Sequence, residues 1–130
     1  MSNVKQVVPF FWIRDMERSL RFYVDGLGFT MKNKWVDGGK LRWCLLALDD
    51  VTVMLQEGKA TDDKLGVDVS ICFICDDAIE LYRQFRARGL DAQRPFVGNA
   101  MWVTEVSDPD GHELQFESAT DAPEESVYSD

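Results

Sequence analysis

The side chains able to do chemistry gather in one stretch, Ser107-Asp108-Pro109-Asp110-Gly111-His112-Glu113-Leu114-Gln115-Phe116-Glu117. It holds the carboxylates Asp108, Asp110, Glu113 and Glu117 and the chain's single histidine, His112. Pro109 presets φ for a tight turn, and Gly111 accepts the left-handed backbone that a side chain resists. After the turn the residues alternate. Leu114 and Phe116 face one way; Glu113, Gln115 and Glu117 face the other. Such a polar row in mid-sheet suits a surface that meets something other than a core. Carboxylates there can hold a cation or, where burial raises their pKa, act as a general base. His112 differs in parity from Gln115, so it is expected to stay outside this row and to face solvent from the turn.

Cys72 and Cys75 form C-x-x-C, a spacing known from redox and zinc sites. They lie in and just after the apolar run 69–74, which has the character of a strand. Residues three apart on a strand point to opposite faces, so the two thiols are not expected to converge. No second cysteine pair exists to complete a zinc site. With Cys44 the count is three, and they are expected to be small buried hydrophobes in a reducing cytoplasm.

The elements that must position these residues follow from the pattern. A length of 130 residues suits one domain or two small halves. The net charge of −9 argues against nucleic acid, which needs clustered Lys and Arg, and permits a cationic ligand. No apolar run reaches membrane-spanning length, and no N-terminal targeting segment is visible. Val4–Ile13 has strand character interrupted by Pro9, which favours an edge or bulge. Asp15 can cap a helix with its body over Arg18–Leu27 and Met16, Leu20, Tyr23 and Leu27 as its apolar face. Phe29–Val36, Leu41–Leu48 and Val51–Glu57 are expected strands, the first two joined by the hairpin turn Asp37-Gly38-Gly39. Gly58–Gly66 is polar and linker-like.

The plan then repeats. Val67–Cys75 is an expected strand. Asp76 or Asp77 can cap a helix over Ala78–Arg88, with Ala78, Leu81, Tyr82 and Phe85 inward and Gly89 at its end. Phe96–Asn99 is expected to turn, and Met101–Val106 and Glu113–Glu117 are strands. Residues 119–130 are expected to form a mobile acidic tail. Asp15-x4-Leu20 with Gly28 answers Asp76-x4-Leu81 with Gly89, so each half is strand, helix, three strands. The prediction is an α+β chain of two βαβββ modules: about 4–57, a linker 58–66, about 67–118, then the tail. Together they form a single domain over 1–130. One helix cannot cover a module's sheet, so two modules must pair, or the chain must dimerise.

The stretch V-P-F-F-W-I-R-D-M-E-R-S-L-R-F-Y-V-D-G-L-G-F, with D-P-D-G-H-E-L-Q-F later, resembles the vicinal oxygen chelate superfamily. That group contains glyoxalase I, extradiol dioxygenases, fosfomycin-modifying enzymes and bleomycin resistance proteins. The resemblance covers residues 4 to 118. It implies curled mixed sheets around a ligand cavity, and homodimers. Enzymes of the group hold a divalent metal through four strand positions, usually His or Glu. Carried over by the motifs, these positions fall at Val8, Met54, Ser70 and Gln115. Val and a mid-strand Met offer a hard ion nothing, and Ser and Gln are weak neutral ligands. The resemblance therefore implies a member with no metal and no cofactor.

Phase from those positions names the cavity-facing residues. They are Phe10 and Trp12 with Val8, Thr52 and Gln56 with Met54, Cys72 with Ser70, and Glu113 and Glu117 with Gln115. Family geometry adds Val103 and Glu105. Trp35 and Trp43 are candidate walls whose phase stays open. Aromatic faces beside carboxylates suit a flat or cationic organic molecule. The first expectation is a small-molecule binding protein that sequesters a cationic or aromatic antibiotic, as bleomycin resistance proteins do. The alternatives are a metal-free enzyme using Glu105 or Glu113 as general base, and a lyase or dioxygenase holding metal through Glu57 or Glu117. A purely structural role would leave the polar row without a use.

Overall fold

Period-two patterning in both halves produces two four-stranded sheets, each with one face under a helix. The computed structural model describes residues 6–58 and 69–130. The chain divides into two compact units, Met1–Leu65 and Gly66–Asp130, and each runs strand, helix, three strands. The class is α+β with mixed sheets. All but the first residue of the expected linker lies outside the described residues.

The first unit contains β1 (Phe10–Ile13), α1 (Met16–Leu20), a π-helical continuation (Arg21–Gly26), β2 (Thr30–Asp37), β3 (Lys40–Leu48) and β4 (Val51–Glu57). The spatial order is β1-β4-β3-β2, with β1 parallel to β4 and the other pairs antiparallel. The first strand is shorter than Val4–Ile13. It begins only after Pro9, which lacks an N–H for the ladder, and it lies at the sheet edge. Asp15 caps α1 by accepting from the Arg18 N–H at 3.1 Å. Beyond Leu20 the winding widens, and Leu27 N–H bonds the Phe22 carbonyl five residues back. The change of winding buries Phe22 beside Tyr23 and leaves Leu20 half-buried, a departure from the simple 3.6-residue face. Tyr23 stacks on Phe11 and meets Phe22 and Phe29 edge-on.

Glu57 locks this unit from the end of β4. One oxygen accepts from the Met16 N–H at 3.0 Å, and the other meets Lys40 at 2.8 Å and Arg42 at 3.4 Å. Burial alone would raise this carboxyl's pKa. The Lys40 hydrogen bond, the Met16 N–H and the two cations outweigh it and hold the group below its ordinary value.

The second unit contains β5 (Ser70–Ile74), α2 (Ala78–Ala87), β6 (Phe96–Gly98), β7 (Met101–Ser107) and β8 (Glu113–Ala119), in the spatial order β5-β8-β7-β6. Asp77 caps α2 through the Glu80 N–H. Its buried face is Ala78, Tyr82 and Phe85, with Leu81 half-buried at the margin. Phe116 packs between Phe73 and Phe85, with ring centroids 4.8 and 5.1 Å away. Two buried hydroxyls tie helix to sheet: Ser118 accepts from the Ala78 N–H, and Thr104 donates to the Ala78 carbonyl.

Two expectations for this unit are corrected. Phe96–Gly98 is a strand, and the turn is Asn99-Ala100, both at positive φ as a tight hairpin requires. The C-terminal residues are not a loose tail. Glu124 accepts from the N–H groups of Asn99 and Ala100, and residues 125–128 pair with β6 and Pro95. Acidic composition suggested solvation, but one carboxylate caps the turn and Tyr128 packs against Tyr82 and Trp102. Among the described residues, no helix is long and apolar enough to cross a membrane.

Phe116→Ala is expected to cost about 3–5 kcal/mol, because it empties the centre of an aromatic cluster. Asp77→Ala is expected to cost about 1 kcal/mol through the lost cap. Urea denaturation of each variant checks the ranking.

Candidate functional site

Strand register decides which side chains share a face, because partners across a ladder point the same way. In the first unit the helix takes the face with Phe11, Ile13, Cys44, Leu46, Val53 and Leu55, all buried. The other face carries the predicted Phe10, Trp12, Met54 and Gln56. Phe10 lies opposite Met54 and Trp12 opposite Gln56, and the register continues to Leu45 and Trp43 on β3. Trp43 in turn faces Trp35 on β2. The result is a row across four strands: Trp12, Gln56, Trp43, Trp35. Phe10 leans on Trp12 with centroids 5.5 Å apart, and Trp12 and Trp35 are each 50% exposed. Gly58 makes room for the indole, since a Cβ there would come within 3.3 Å of Trp12. Thr52 shares the face through its pairing with Ala47, and Val8 is half-buried just before β1.

The membership of Trp35 and Trp43 was not legible from alternation alone. The β2–β3 ladder slips between Met31 and Asn33 and again between Trp35 and Val36. Each slip resets the phase of the strand. The hairpin turn, with Asp37 opposite Lys40, was the available signal.

In the second unit α2 takes the face with Leu114 and Phe116. The other face brings together all seven predicted residues of this half, Ser70, Cys72, Val103, Glu105, Glu113, Gln115 and Glu117. Ser70 faces Glu113, which faces Ser107; Cys72 faces Gln115, which faces Glu105; Ile74 faces Glu117, which faces Val103 and then Phe96. Ile74, Ser107 and Phe96 were not named from the sequence. Val103 is buried, whereas Glu105, Glu113, Gln115 and Glu117 are half-buried. None of the four strands contains Lys or Arg. The second half of the chain carries 14 acids against four arginines.

Glu105 and Glu113 sit diagonally across β7 and β8, within reach of long side chains. Glu105 shares a hydrogen bond with Glu113, is partly buried and feels the neighbouring charge. These effects push its carboxyl up to about 7, against a smaller opposing effect from Gln115. A cleft of about 150 Å³ opens beside it, lined by Asp91, Gln93, Glu105, Val106 and Ser107. The Cys72 thiol donates to Glu117 at 3.1 Å, while the Cys75 thiol meets the Glu117 backbone carbonyl. Cys72 is exposed and not the buried hydrophobe expected; partial desolvation and the Glu117 carboxylate raise its thiol to about 11, which keeps it protonated at neutral pH.

His112 is a correction. It is 3% exposed rather than solvent-facing, with Nδ1 2.7 Å from Asp108 Oδ2. Asp108 Oδ1 also accepts from the backbone N–H groups of Asp110 and His112. The D-P-D-G turn folds inward around its own carboxylate. His112 lies off the carboxylate row, as its parity predicted, because it precedes β8 on the alternate register.

The four positions that the resemblance assigns to metal ligands do not fit a resident divalent ion. Val8 and Met54 give no hard donor, and Ser70 and Gln115 are neutral. Glu57 cannot substitute, because its side chain points to the helix side and is held by Met16, Lys40 and Arg42. Among the described residues, no group of three or more His, Cys, Asp or Glu is arranged to hold a metal. A larger cleft of about 510 Å³ lies on the helix side of the first sheet, between α1 and the β2–β3 turn, and is lined by charged groups including Lys40 and Glu57. It is separate from the aromatic face.

Comparison with known proteins comes down on one fold. The sequence model of the Glyoxalase/Bleomycin resistance protein/Dioxygenase superfamily matches residues 5–116. A bleomycin-binding protein solved with bleomycin superposes with a TM-score of 0.72 at 23% identity, over 88% of this chain and 98% of that one. The bleomycin resistance determinant encoded on transposon Tn5 gives 0.72 at 23%, over 92% and 100%. TnmS3, an antibiotic binding protein from Streptomyces sp. CB03234, gives 0.70 at 18%, over 92% and 100%. No curated protein matches the sequence.

Glu113→Gln is expected to stabilise the protein above pH 7 and to have little effect below pH 4.5. The Glu105 pKa lies above its ordinary 4.5, so the repulsion is absent while Glu105 holds its proton. It grows as pH rises and is complete above the folded value. Melting temperatures of the two proteins at pH 4 and pH 8 check the sign.

Proposed function

Because the chain belongs to the glyoxalase/bleomycin resistance protein/dioxygenase superfamily, we propose that it is a metal-independent binding protein for a cationic or aromatic small molecule, of the kind represented by bleomycin-like antibiotics. The observation that carries this reading is the donor chemistry at the four positions that the resemblance assigns to metal ligands, Val8, Met54, Ser70 and Gln115. Where a superfamily enzyme would place imidazoles and carboxylates, this chain places an aliphatic, a thioether, a hydroxyl and an amide. The two non-helix faces support the same reading. Trp12, Trp43, Trp35 and Phe10 present ring faces on which a flat molecule can stack. Glu105, Glu113 and Glu117 present negative charge with no cation on their strands. Phe10, Trp12, Met54, Gln56, Ser70, Cys72, Val103, Glu105, Glu113 and Gln115 are the proposed ligand-contacting set. Three free cysteines agree with a cytoplasmic protein, and the proposed assembly is a homodimer, which light scattering would check.

Glu105 favours one second reading. A carboxyl titrating near 7 is poised for general acid–base work, so a metal-free enzyme acting through Glu105 is the alternative. Turnover lost in Glu105→Gln, with binding kept, would select it.

Thermal melting tests the proposal. Bleomycin at a hundredfold excess over its Kd is expected to stabilise the protein by about 2.7 kcal/mol, with no added divalent ion required. Trp12→Ala and Glu113→Gln are each expected to weaken that stabilisation. A shift that appears only with zinc, manganese or iron would overturn the metal-independent reading.

A further inference from the structure

After β8 the chain stays on the second unit and lines the outer edge of β6. Val97 N–H donates to the Ser126 carbonyl and Glu125 N–H to the Val97 carbonyl, both at 2.9 Å. Tyr128 N–H donates to the Pro95 carbonyl at 2.8 Å. Phe96 and Val127 are antiparallel bridge partners. Residues 126–128 therefore run along the β6 edge and meet it through one isolated antiparallel bridge, after a turn in which Glu125 has positive φ. Two anchors hold this segment: Glu124 on the β6–β7 turn, and the Tyr128 ring, set edge-on to Tyr82 and Trp102 with Arg83 bonded to its hydroxyl.

Bridge partners share a face, so Val127 points the same way as Phe96. Phe96 pairs with Val103, and Val103 pairs with Glu117. The row across the sheet is thus Val127, Phe96, Val103, Glu117 and Ile74, on the face that carries Glu105 and Glu113. The Phe96 ring lies along this face over Gly98, where an added Cβ would meet it at 3.4 Å. Alternation turns Val127 away from the Tyr128 anchor and leaves it 61% exposed, beside Phe96 at 36%.

We propose that the C-terminal segment builds part of the ligand site: Val127 and Phe96 form an apolar wall that selects organic cations carrying a hydrophobic arm. The inference rests on the binding role above and narrows its ligand class. The charge sits over the carboxylates, which no Lys or Arg of these strands offsets, and the arm runs towards the sheet edge. Strands lie about 4.8 Å apart, so Phe96 is about 10 Å and Val127 about 14 Å from the Glu117 row position. That span sets the length of arm the face can cover.

Calorimetric titration with alkyltrimethylammonium ions, from tetramethyl to decyl and below micelle concentrations, tests the wall. The expected result is an affinity that rises about two- to fourfold per methylene over the longer chains. In Val127→Ser the rise is expected to flatten over the longest chains, judged against that variant's own tetramethylammonium affinity. Tyr128→Ala, which releases the anchor, is expected to flatten it too. Tetramethylammonium binding with no dependence on chain length would overturn the wall and leave the binding role standing. An unchanged slope in both variants would also overturn it. Failure of every ion in the series to bind would overturn the wall and the cationic-ligand reading together.

Discussion

Everything the molecule offers a ligand depends on one constraint: a strand has two faces, and the helix can cover only one of them. In the second unit Leu114 and Phe116 are committed to α2, so Glu113, Gln115 and Glu117 must occupy the opposite face. In the first unit the same rule commits Phe11 and Ile13 inward and turns Phe10 and Trp12 out. The register then carries the division across every strand, which is how residues far apart in sequence, such as Cys72 and Glu105, come to flank one side chain, Gln115. A slip of one residue on β8 would exchange the carboxylates with the core. The buried Asp108–His112 turn, with Asp108 holding two backbone N–H groups, fixes where that strand begins.

The two faces differ in chemistry although the two units share a plan. The first sheet exposes rings and a thioether, with its one deeply held carboxylate, Glu57, on the helix side among cations. The second sheet exposes carboxylates without cations. The hydrogen bond to Glu113, partial burial and the neighbouring charge together give Glu105 its high value. An incoming cation relieves the repulsion from that charge. In the proposed binding role that relief would add to the affinity for a cation.

Much of this was legible in the residues. Asp15 and the Asp76-Asp77 pair announced both helix starts, Asp77 being the residue that caps the second; β4 began and ended where its alternation did, and Leu114/Phe116 against Glu113/Gln115/Glu117 set the phase of β8. The parts that were not legible share a cause: local pattern cannot see a neighbour's register or a distant partner. Two slips in the β2–β3 ladder hid the phase of Trp35 and Trp43. The π-helical turn moved Phe22 into the core, against a 3.6-residue face. His112 looked like a turn residue in solvent because its partner, Asp108, belongs to the same turn folded inward. The acidic tail looked solvated because nothing in its composition shows that Glu124 caps a hairpin 25 residues earlier.

The proposed binding role requires this member of the superfamily to work without a resident metal, and the resemblance places Val8, Met54, Ser70 and Gln115 at the ligand positions. Elemental analysis of the purified protein tests it most directly. No zinc, iron, manganese or nickel above trace levels is expected after expression in metal-replete medium. A transition metal retained near one per chain through dialysis would contradict it, and would mean that the chain assembles a ligand set from other residues.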